Sequence, residues 1–85
     1  MRVRFSIEAA HAEQVLLAGD FTEWEANARK MRKSGPRART FAATVSVPPG
    51  EHQYKFIVDG AWVTDPKAAC VPNPFGTENS VIDVS

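Results

Sequence analysis

Two tryptophans and a few polar side chains are the residues of this sequence whose types could recognise a ligand. Trp24 and Trp62 are the only tryptophans in 85 residues, and Gln53 and Lys55 precede Trp62 in one short segment. The C–H face of a pyranose ring packs against the face of an aromatic ring, and lysine and amide side chains donate hydrogen bonds to its hydroxyls. This combination is typical of carbohydrate recognition if the fold brings the residues together.

The dipeptide Asp59-Gly60 predicts a hairpin that decides which way Trp62 faces. The predicted pairs are Val58 with Ala61, Ile57 with Trp62, Phe56 with Val63 and Lys55 with Thr64. Alternation gives the two strands two faces. The face assigned to the core holds Tyr54, Phe56, Val58, Ala61 and Val63, and the wetter face holds Gln53, Lys55, Ile57, Trp62 and Thr64. Trp62 is then either a binding platform or a cover packed on the sheet.

The rest of the chain predicts short strands separated by turns. Alternating or continuous apolar residues indicate strands at 3–7, 15–18, 40–47, 53–58 and 80–84. The last strand allows two registers, with either Val81 alone or Ile82 and Val84 facing inward. Strands at this spacing predict an all-β chain folded as a single-domain β-sandwich over residues 1–85.

Two segments lack a strand pattern. Residues 21–39 contain a basic cluster and the turn signal Ser34-Gly35-Pro36, and we interpret them as a long loop with a helical turn at 26–31. Residues 65–76 contain three prolines and predict an ordered loop that begins with a turn at Asp65-Pro66.

Composition excludes several classes of function. Lysine plus arginine equals aspartate plus glutamate at 10 each, which argues against nucleic-acid binding. The sequence has no apolar run long enough to span a membrane, and Met1–Phe5 has no signal-peptide character. Cys70 is the single cysteine and allows no internal disulfide, so we expect a cytoplasmic protein.

Catalysis is not expected. The serines, histidines, aspartates and cysteine show no nucleophile–base pattern, and the acidic residues are scattered. His11 and His52 are isolated from other ligand types, so we predict neither a metal site nor a cofactor.

Four segments occur in an order that resembles a known family. They are LAGDFTEW at 17–24, PGEHQYKFIVDGAW at 49–62, DP at 65–66 and FGTENSVI at 75–82. Together they resemble the family 48 carbohydrate-binding modules, which include the glycogen-binding domain of the AMP-activated protein kinase β-subunit. The resemblance extends from about Val3 to Val84, and its most specific part is the run from Gly50 to Trp62 followed by Gly-Thr-x-Asn.

The resemblance implies an immunoglobulin-like β-sandwich that binds α-1,4-linked glucans such as glycogen and starch. It implies that two tryptophans stack on glucose rings and that four further side chains contact the sugar. The positions that match are Trp24, Trp62, Lys55, Phe75, Thr77 and Asn79. This sequence departs from the kinase domain in two places, with Thr22-Glu23 before the first tryptophan and Phe75 where leucine is common.

Two alternatives remain beside glucan binding. Such a module can also pack against a catalytic domain or a kinase-type partner, and its exposed tryptophans would then be interface anchors. Aromatic platforms with basic neighbours also stack the bases of single-stranded nucleic acid, but the zero net charge disfavours this interpretation.

Overall fold

A computed structural model describes residues 1–33, 35 and 37–84. These residues form nine strands and one short 3-10 helix. The strands are β1 (Arg2–Glu8), β2 (Val15–Gly19), β3 (Arg29–Lys30), β4 (Arg32–Lys33), β5 (Thr40–Ser46), β6 (Gly50–Val58), β7 (Ala61–Val63), β8 (Cys70–Pro72) and β9 (Glu78–Val84). The 3-10 helix spans Trp24–Asn27. The prediction of an all-β chain is confirmed.

The strands form two antiparallel sheets that pack as an immunoglobulin-like β-sandwich. The smaller sheet has the order β1-β5-β4, and the larger has the order β3-β2-β6-β9-β8. β6 is the longest strand and pairs along one side with β2. Along its other side it pairs first with β9 and then with β7. The centre of the larger sheet is therefore β6, the strand that carries Gln53 and Lys55.

The core lies between the two sheets and follows the alternation predicted for β1, β5 and β6. Its buried members are Phe5, Ile7, Val15, Leu17, Met31, Phe41, Val45, Val47, Tyr54, Phe56 and Val84. Of the two registers left open for the closing strand, the structure has the second, because Val84 is buried and Ile82 packs against the core.

The long loop predicted at 21–39 is wrong in part. The helical turn lies at Trp24–Asn27 rather than at 26–31, and β3 and β4 flank Met31, which is only 2% exposed. β3 pairs with β2 in the larger sheet and β4 with β5 in the smaller one, so the chain crosses between the sheets at Met31. A single apolar residue among basic residues forms no periodic pattern, so the sequence does not reveal such a crossing. Ser34 and Pro36 of the predicted turn lie outside the described residues.

The Asp59-Gly60 hairpin is confirmed. Ile57 pairs with Trp62, and the turn residues have φ of 48° and 87°, as a two-residue hairpin turn with two positive φ angles requires. The predicted pairing of Lys55 with Thr64 is wrong, because β7 ends at Val63. The core assignment of Ala61 and Val63 is also wrong: both are exposed, since β7 is a short strand beyond the edge of the core.

The loop predicted at 65–76 includes the short strand β8, which pairs with β9. Its first residue, Asp65, is buried and accepts a hydrogen bond from the Tyr54 hydroxyl at 2.8 Å. The Asp65 amide donates to Ser80 Oγ at 2.7 Å, and the Ala68 amide donates to the Asp65 carbonyl at 3.2 Å, which confirms the predicted turn. Burial and the Asp65 carboxylate both raise the pKa of Tyr54. Within the described ranges, no helix has the length and apolarity needed to cross a bilayer.

Candidate functional site

An open cleft of about 900 Å³ lies on the outer face of the larger sheet. The residues that line it come from the 3-10 helix, β6, β7, β9 and the loop between β8 and β9. They are Trp24, Glu25, Gln53, Lys55, Trp62, Asn73, Pro74, Phe75, Thr77 and Asn79. The structure therefore brings together all six residues that the sequence analysis singled out as candidate sugar contacts.

Trp62 stands on one wall of the cleft with 42% of its surface exposed. It pairs across the hairpin with Ile57, and alternation along β6 puts Ile57, Lys55 and Gln53 on the same outer face. Trp62 thus lies on the predicted face of the hairpin, opposite the core. A large aromatic ring held on a strand and left open to solvent is available for stacking.

Trp24 enters the cleft from the start of the 3-10 helix. Glu23 and Trp24 both have φ of 55°, a left-handed conformation that non-glycine residues adopt at a cost. The buried Thr22 side chain stabilises this turn, because its hydroxyl accepts a hydrogen bond from the Gly19 amide at 3.0 Å and lies 2.9 Å from the Trp24 carbonyl oxygen. These local hydrogen bonds hold the backbone turn from which the half-buried Trp24 side chain enters the cleft.

Lys55 lines the same cleft from β6 and is only 8% exposed. Its aliphatic stem is covered by neighbours while the side chain still lines the cleft, as long cationic side chains commonly do. In the described part of the chain, Lys55 forms no salt bridge. The cleft thus contains an ammonium group whose hydrogen-bond donors can serve a ligand.

The loop after β8 is organised by Asn73, a residue that the sequence analysis missed. Its Oδ1 accepts hydrogen bonds from the amides of Phe75 and Thr77 at 3.0 and 3.2 Å. Its Nδ2 donates to Thr77 Oγ1 at 2.7 Å and to Asn79 Oδ1 at 2.9 Å. The Asn-Pro dipeptide at 73–74 is a turn signal that could have drawn attention to it.

The hydrogen bonds of Asn73 join polar side chains into a continuous row along the wall of the cleft formed by this loop. Asn79 is buried, accepts from Asn73, and donates to Gln53 Oε1 at 3.0 Å. Gln53, which the sequence placed on the wetter face, therefore belongs to the same network. Phe75 lines the cleft from the same loop and is 89% exposed, so its ring has little packing of its own.

The cleft combines three aromatic rings with neutral amides and a hydroxyl, one cation and one carboxylate. Glu25 supplies the carboxylate, which sequence reasoning also missed because its position depends on the 3-10 turn. Such a mixture of donors and acceptors around apolar rings suits a neutral ligand rich in hydroxyls. Among the described residues, no group of three or more histidine, cysteine, aspartate or glutamate side chains is placed to hold a metal ion.

Comparison with known proteins gives a family match over nearly the whole chain. The family model described as the glycogen recognition site of AMP-activated protein kinase matches residues 2–85. The chain is 40% identical over 75 residues to the 5'-AMP-activated protein kinase subunit beta-1 of Sus scrofa, covering 85% of this chain and 55% of that one. It is 38% identical over 72 residues to the subunit beta-2 of Mus musculus, covering 85% of this chain and 25% of that one. It thus spans about a quarter of the length of that relative.

A solved structure supports the fold. The apo pullulanase of Paenibacillus barengoltzii matches with a TM-score of 0.63 and 24% identity, covering 96% of this chain and 13% of that one. At this identity the likeness concerns the β-sandwich alone.

Proposed function

The chain belongs to the family of the glycogen recognition site of AMP-activated protein kinase, a family of carbohydrate-binding modules, and we propose that it binds α-1,4-linked glucans such as glycogen, starch and maltooligosaccharides. The observation that carries this proposal is the convergence of Trp24, Trp62 and Lys55 in one open cleft. Residues far apart in the sequence meet there with the chemistry that a glucose chain requires.

Stacking of glucose rings on Trp24 and Trp62 is the main source of affinity in this proposal. Each indole presents a flat apolar face on which the C–H groups of one sugar face can pack. Because a hairpin and a hydrogen-bonded turn hold the backbone at the two tryptophans, little backbone conformational entropy is lost on binding.

Hydrogen bonds at the sugar edge provide orientation. Lys55 donates to hydroxyls from the middle of the cleft, while Asn79 and Thr77 contact the chain from the wall that Asn73 organises. Asn79 and Thr77 already accept hydrogen bonds from Asn73, so a ligand hydroxyl at this wall joins an existing network rather than having to assemble one.

Phe75 lines the cleft from the loop between β8 and β9. Its ring stands where related modules commonly have leucine, and at 89% exposure it has room to lie flat on a sugar. A planar ring stacks beside a glucan instead of inserting into its coil, so we propose that this module binds the outer surface of the chain.

We propose no catalytic activity for the chain, in keeping with its family of binding modules. The cleft is open to solvent and its polar groups contact hydroxyls, which predicts weak, reversible binding with Kd from about 10 µM to 1 mM. The reducing cytoplasm remains the proposed compartment, since the one cysteine, Cys70, allows no internal disulfide.

Tryptophan fluorescence tests the ligand class. The purified chain is titrated with maltoheptaose and β-cyclodextrin, with cellohexaose as the β-linked control. A saturable change with both α-linked sugars and none with cellohexaose is expected, because both tryptophans of the protein line the cleft. No change with any sugar, together with failure to sediment with glycogen, would overturn the proposal.

A second candidate function uses the same surface to bind a protein. Phe75 and Trp62 are 89% and 42% exposed, and such exposed aromatic residues also serve as interface anchors. The chain spans about a quarter of its mouse relative, so a catalytic domain or kinase-type partner could meet this face in a longer assembly. Protection of both tryptophans from an aqueous quencher by a co-purifying protein, with no response to glucans, would favour this alternative.

A further inference from the structure

Asp20 lies where β2 ends and the chain turns away from the larger sheet towards Trp24. Its amide donates a hydrogen bond to the Gln53 carbonyl at 3.0 Å, and its carboxylate oxygen Oδ2 accepts one from the Gln53 amide at 3.0 Å. The side chain thus replaces the backbone carbonyl that would pair with Gln53 if β2 continued. One residue therefore holds both main-chain polar groups of Gln53.

This position connects two walls of the cleft. Gln53 belongs to the polar row and lines the cleft. Asp20 is also part of the turn that carries Trp24, because it lies between Gly19 and Thr22, and the Thr22 amide donates to the Gly19 carbonyl at 3.0 Å. A shift of Asp20 relative to β6 therefore moves Trp24 relative to the polar row.

The other carboxylate oxygen of Asp20 lies against a histidine. Oδ1 is 2.7 Å from His52 Nδ1, and His52 Nε2 is 2.8 Å from the Pro48 carbonyl oxygen. The His52 side chain is only 16% exposed, and its ring meets Phe21 edge-on with the centroids 5.9 Å apart. This packing restricts rotation of the ring away from its two acceptors.

The protonation state of His52 decides how many of these hydrogen bonds form. The protonated ring donates to both the Asp20 carboxylate and the Pro48 carbonyl. The neutral ring has one N–H group, so one of the two acceptors then faces a lone pair. Loss of the proton also removes the positive charge that strengthens the hydrogen bond to the carboxylate. Deprotonation therefore weakens the hold on Asp20.

Asp20 is the charged group that acts on His52. Among the described residues, no other ionisable side chain forms a hydrogen bond with the ring. Glu51 precedes His52 in β6 and lies opposite Asp83 in β9, and strand alternation puts both of these acids on the other face of the sheet. The hydrogen bond to Asp20 raises the pKa of His52 above its usual 6.5, so the ring titrates close to neutral pH.

We infer that Asp20 is a positioning residue of the cleft and that protonation of His52 strengthens glucan binding through it. This inference rests on the proposed function. With His52 protonated, Asp20 holds Gln53 and the start of the Trp24 turn, so that the cleft is ordered before the sugar binds. As the pH rises and His52 loses its proton, this order decreases and glucan binds more weakly. By linkage, bound glucan raises the pKa of His52 in return.

Asp20→Asn distinguishes this role from a purely structural one. The amide has the shape of the carboxylate, its oxygen can accept from the Gln53 amide, and its Nδ2 can donate to Nδ1 of a neutral His52. The neutral ring then donates through Nε2 to Pro48. All of these hydrogen bonds therefore form with neutral His52 and not with the protonated ring, so the variant should invert the pH dependence of binding.

Two further variants serve as controls. His52→Gln removes the titrating group, and its glucan affinity should not depend on pH across this range. His11→Gln is the matched control, because it removes the other histidine of the chain, which is exposed and lies outside the cleft lining. It should keep the pH dependence of the wild type.

The measurement is calorimetry with maltoheptaose at a series of pH values that begins below 6.5 and extends above it. The wild type and His11→Gln should bind about twofold or more weakly at the upper end of the series, and Asp20→Asn should bind more tightly there. An NMR titration of the wild-type His52 ring should also give a higher pKa with maltoheptaose than without it, a readout that does not depend on any variant.

Wild-type affinity that does not change with pH would overturn the inference, and so would the same pH dependence in His52→Gln or in Asp20→Asn. A His52 pKa that does not respond to maltoheptaose would overturn it as well. In each of these cases binding of maltoheptaose by the wild type leaves the proposed function standing. Failure of the wild type to bind maltoheptaose at any pH would overturn both.

Discussion

The Thr22 hydroxyl lies 2.9 Å from the carbonyl oxygen of Trp24 and also accepts a hydrogen bond from the Gly19 amide at 3.0 Å. Thr22 is 5% exposed, so water does not readily replace it. One buried side chain thus closes the turn that holds Trp24 at a φ of 55°. The turn links the core of the sandwich to the orientation of an aromatic ring in the cleft.

Thr22→Val keeps the shape of the side chain and removes the hydroxyl. The Gly19 amide then lacks this acceptor, and we expect the free energy of unfolding to fall by about 1–3 kcal/mol. Maltoheptaose affinity should fall as well, because Trp24 is no longer fixed. Urea denaturation and calorimetry measure the two effects, with Thr22→Ser as the control that keeps the hydroxyl. A valine variant as stable and as tight-binding as the wild type would contradict this role.

Asn73→Ala tests the polar wall of the cleft. The substitution removes the acceptor of the Phe75 and Thr77 amides and the donor to Asn79. We expect about three- to tenfold weaker maltoheptaose binding, because the loop must be ordered again on binding. The loss of stability should be small, since most of these bonds are exposed.

Asn73→Asp separates the two functions of this side chain. It keeps an oxygen acceptor for the Phe75 and Thr77 amides but cannot donate to Thr77 Oγ1 or Asn79. An affinity between those of the wild type and the alanine variant is expected from calorimetry. If Asn73→Ala binds maltoheptaose as tightly as the wild type, Asn73 is not needed to order the loop for binding.

His52 makes stability depend on pH. Its Nδ1 lies 2.7 Å from an Asp20 carboxylate oxygen, and its Nε2 lies 2.8 Å from the Pro48 carbonyl oxygen. Both partners are acceptors, and only the protonated ring can donate to both. The hydrogen bond to Asp20, assisted by the one to Pro48, raises the pKa of His52 above its usual 6.5.

A raised pKa in the folded state contributes stability that is fully present below the unfolded pKa of 6.5 and is lost as pH rises through the folded value. The stability difference between the wild type and His52→Gln should therefore be largest below pH 6.5 and shrink as the pH rises above it. Urea denaturation at several pH values measures it. A difference that stays constant across this range would rule out the contribution.

Glu51 and Asp83 are a like-charged pair directly opposite each other on β6 and β9. Both side chains are exposed. Carboxylates in this relationship repel each other, so Asp83→Asn should raise the free energy of unfolding by about 0.2–1 kcal/mol. The gain should diminish with added salt. Glu8→Gln is the control, since Glu8 faces uncharged Thr40 across β1 and β5. No gain over that control at low salt would refute the repulsion.

The part of the site on the Asp59-Gly60 hairpin is well predicted from the sequence, because it depends on residues that are close together in the chain. Asp59-Gly60 specifies a turn, the turn specifies register, and register puts Lys55 and Trp62 on one face. The same reasoning fails for Val63, because whether a face is buried depends on how far the opposite sheet extends. It also fails to show that the Lys55 stem is covered, which depends on neighbours from other strands.

The remaining features depend on contacts that no local pattern encodes. Met31 joins the two sheets as a single apolar residue between β3 and β4, without any repeat to detect. Glu25 and Asn73 reach the cleft through a 3-10 turn and a side-chain network that exist only in the folded chain. The candidate sugar contacts came from family resemblance, and the fold supplies the cleft in which they meet.

The most direct test of the account is calorimetry with maltoheptaose on the wild type, Trp24→Ala and Trp62→Ala. Val63→Ala is the control, because it truncates an exposed neighbour of Trp62 that does not line the cleft. The account predicts that each tryptophan variant binds at least about tenfold more weakly, a loss of about 1.4 kcal/mol or more, while Val63→Ala binds like the wild type. Wild-type affinity in both tryptophan variants would contradict glucan stacking in this cleft.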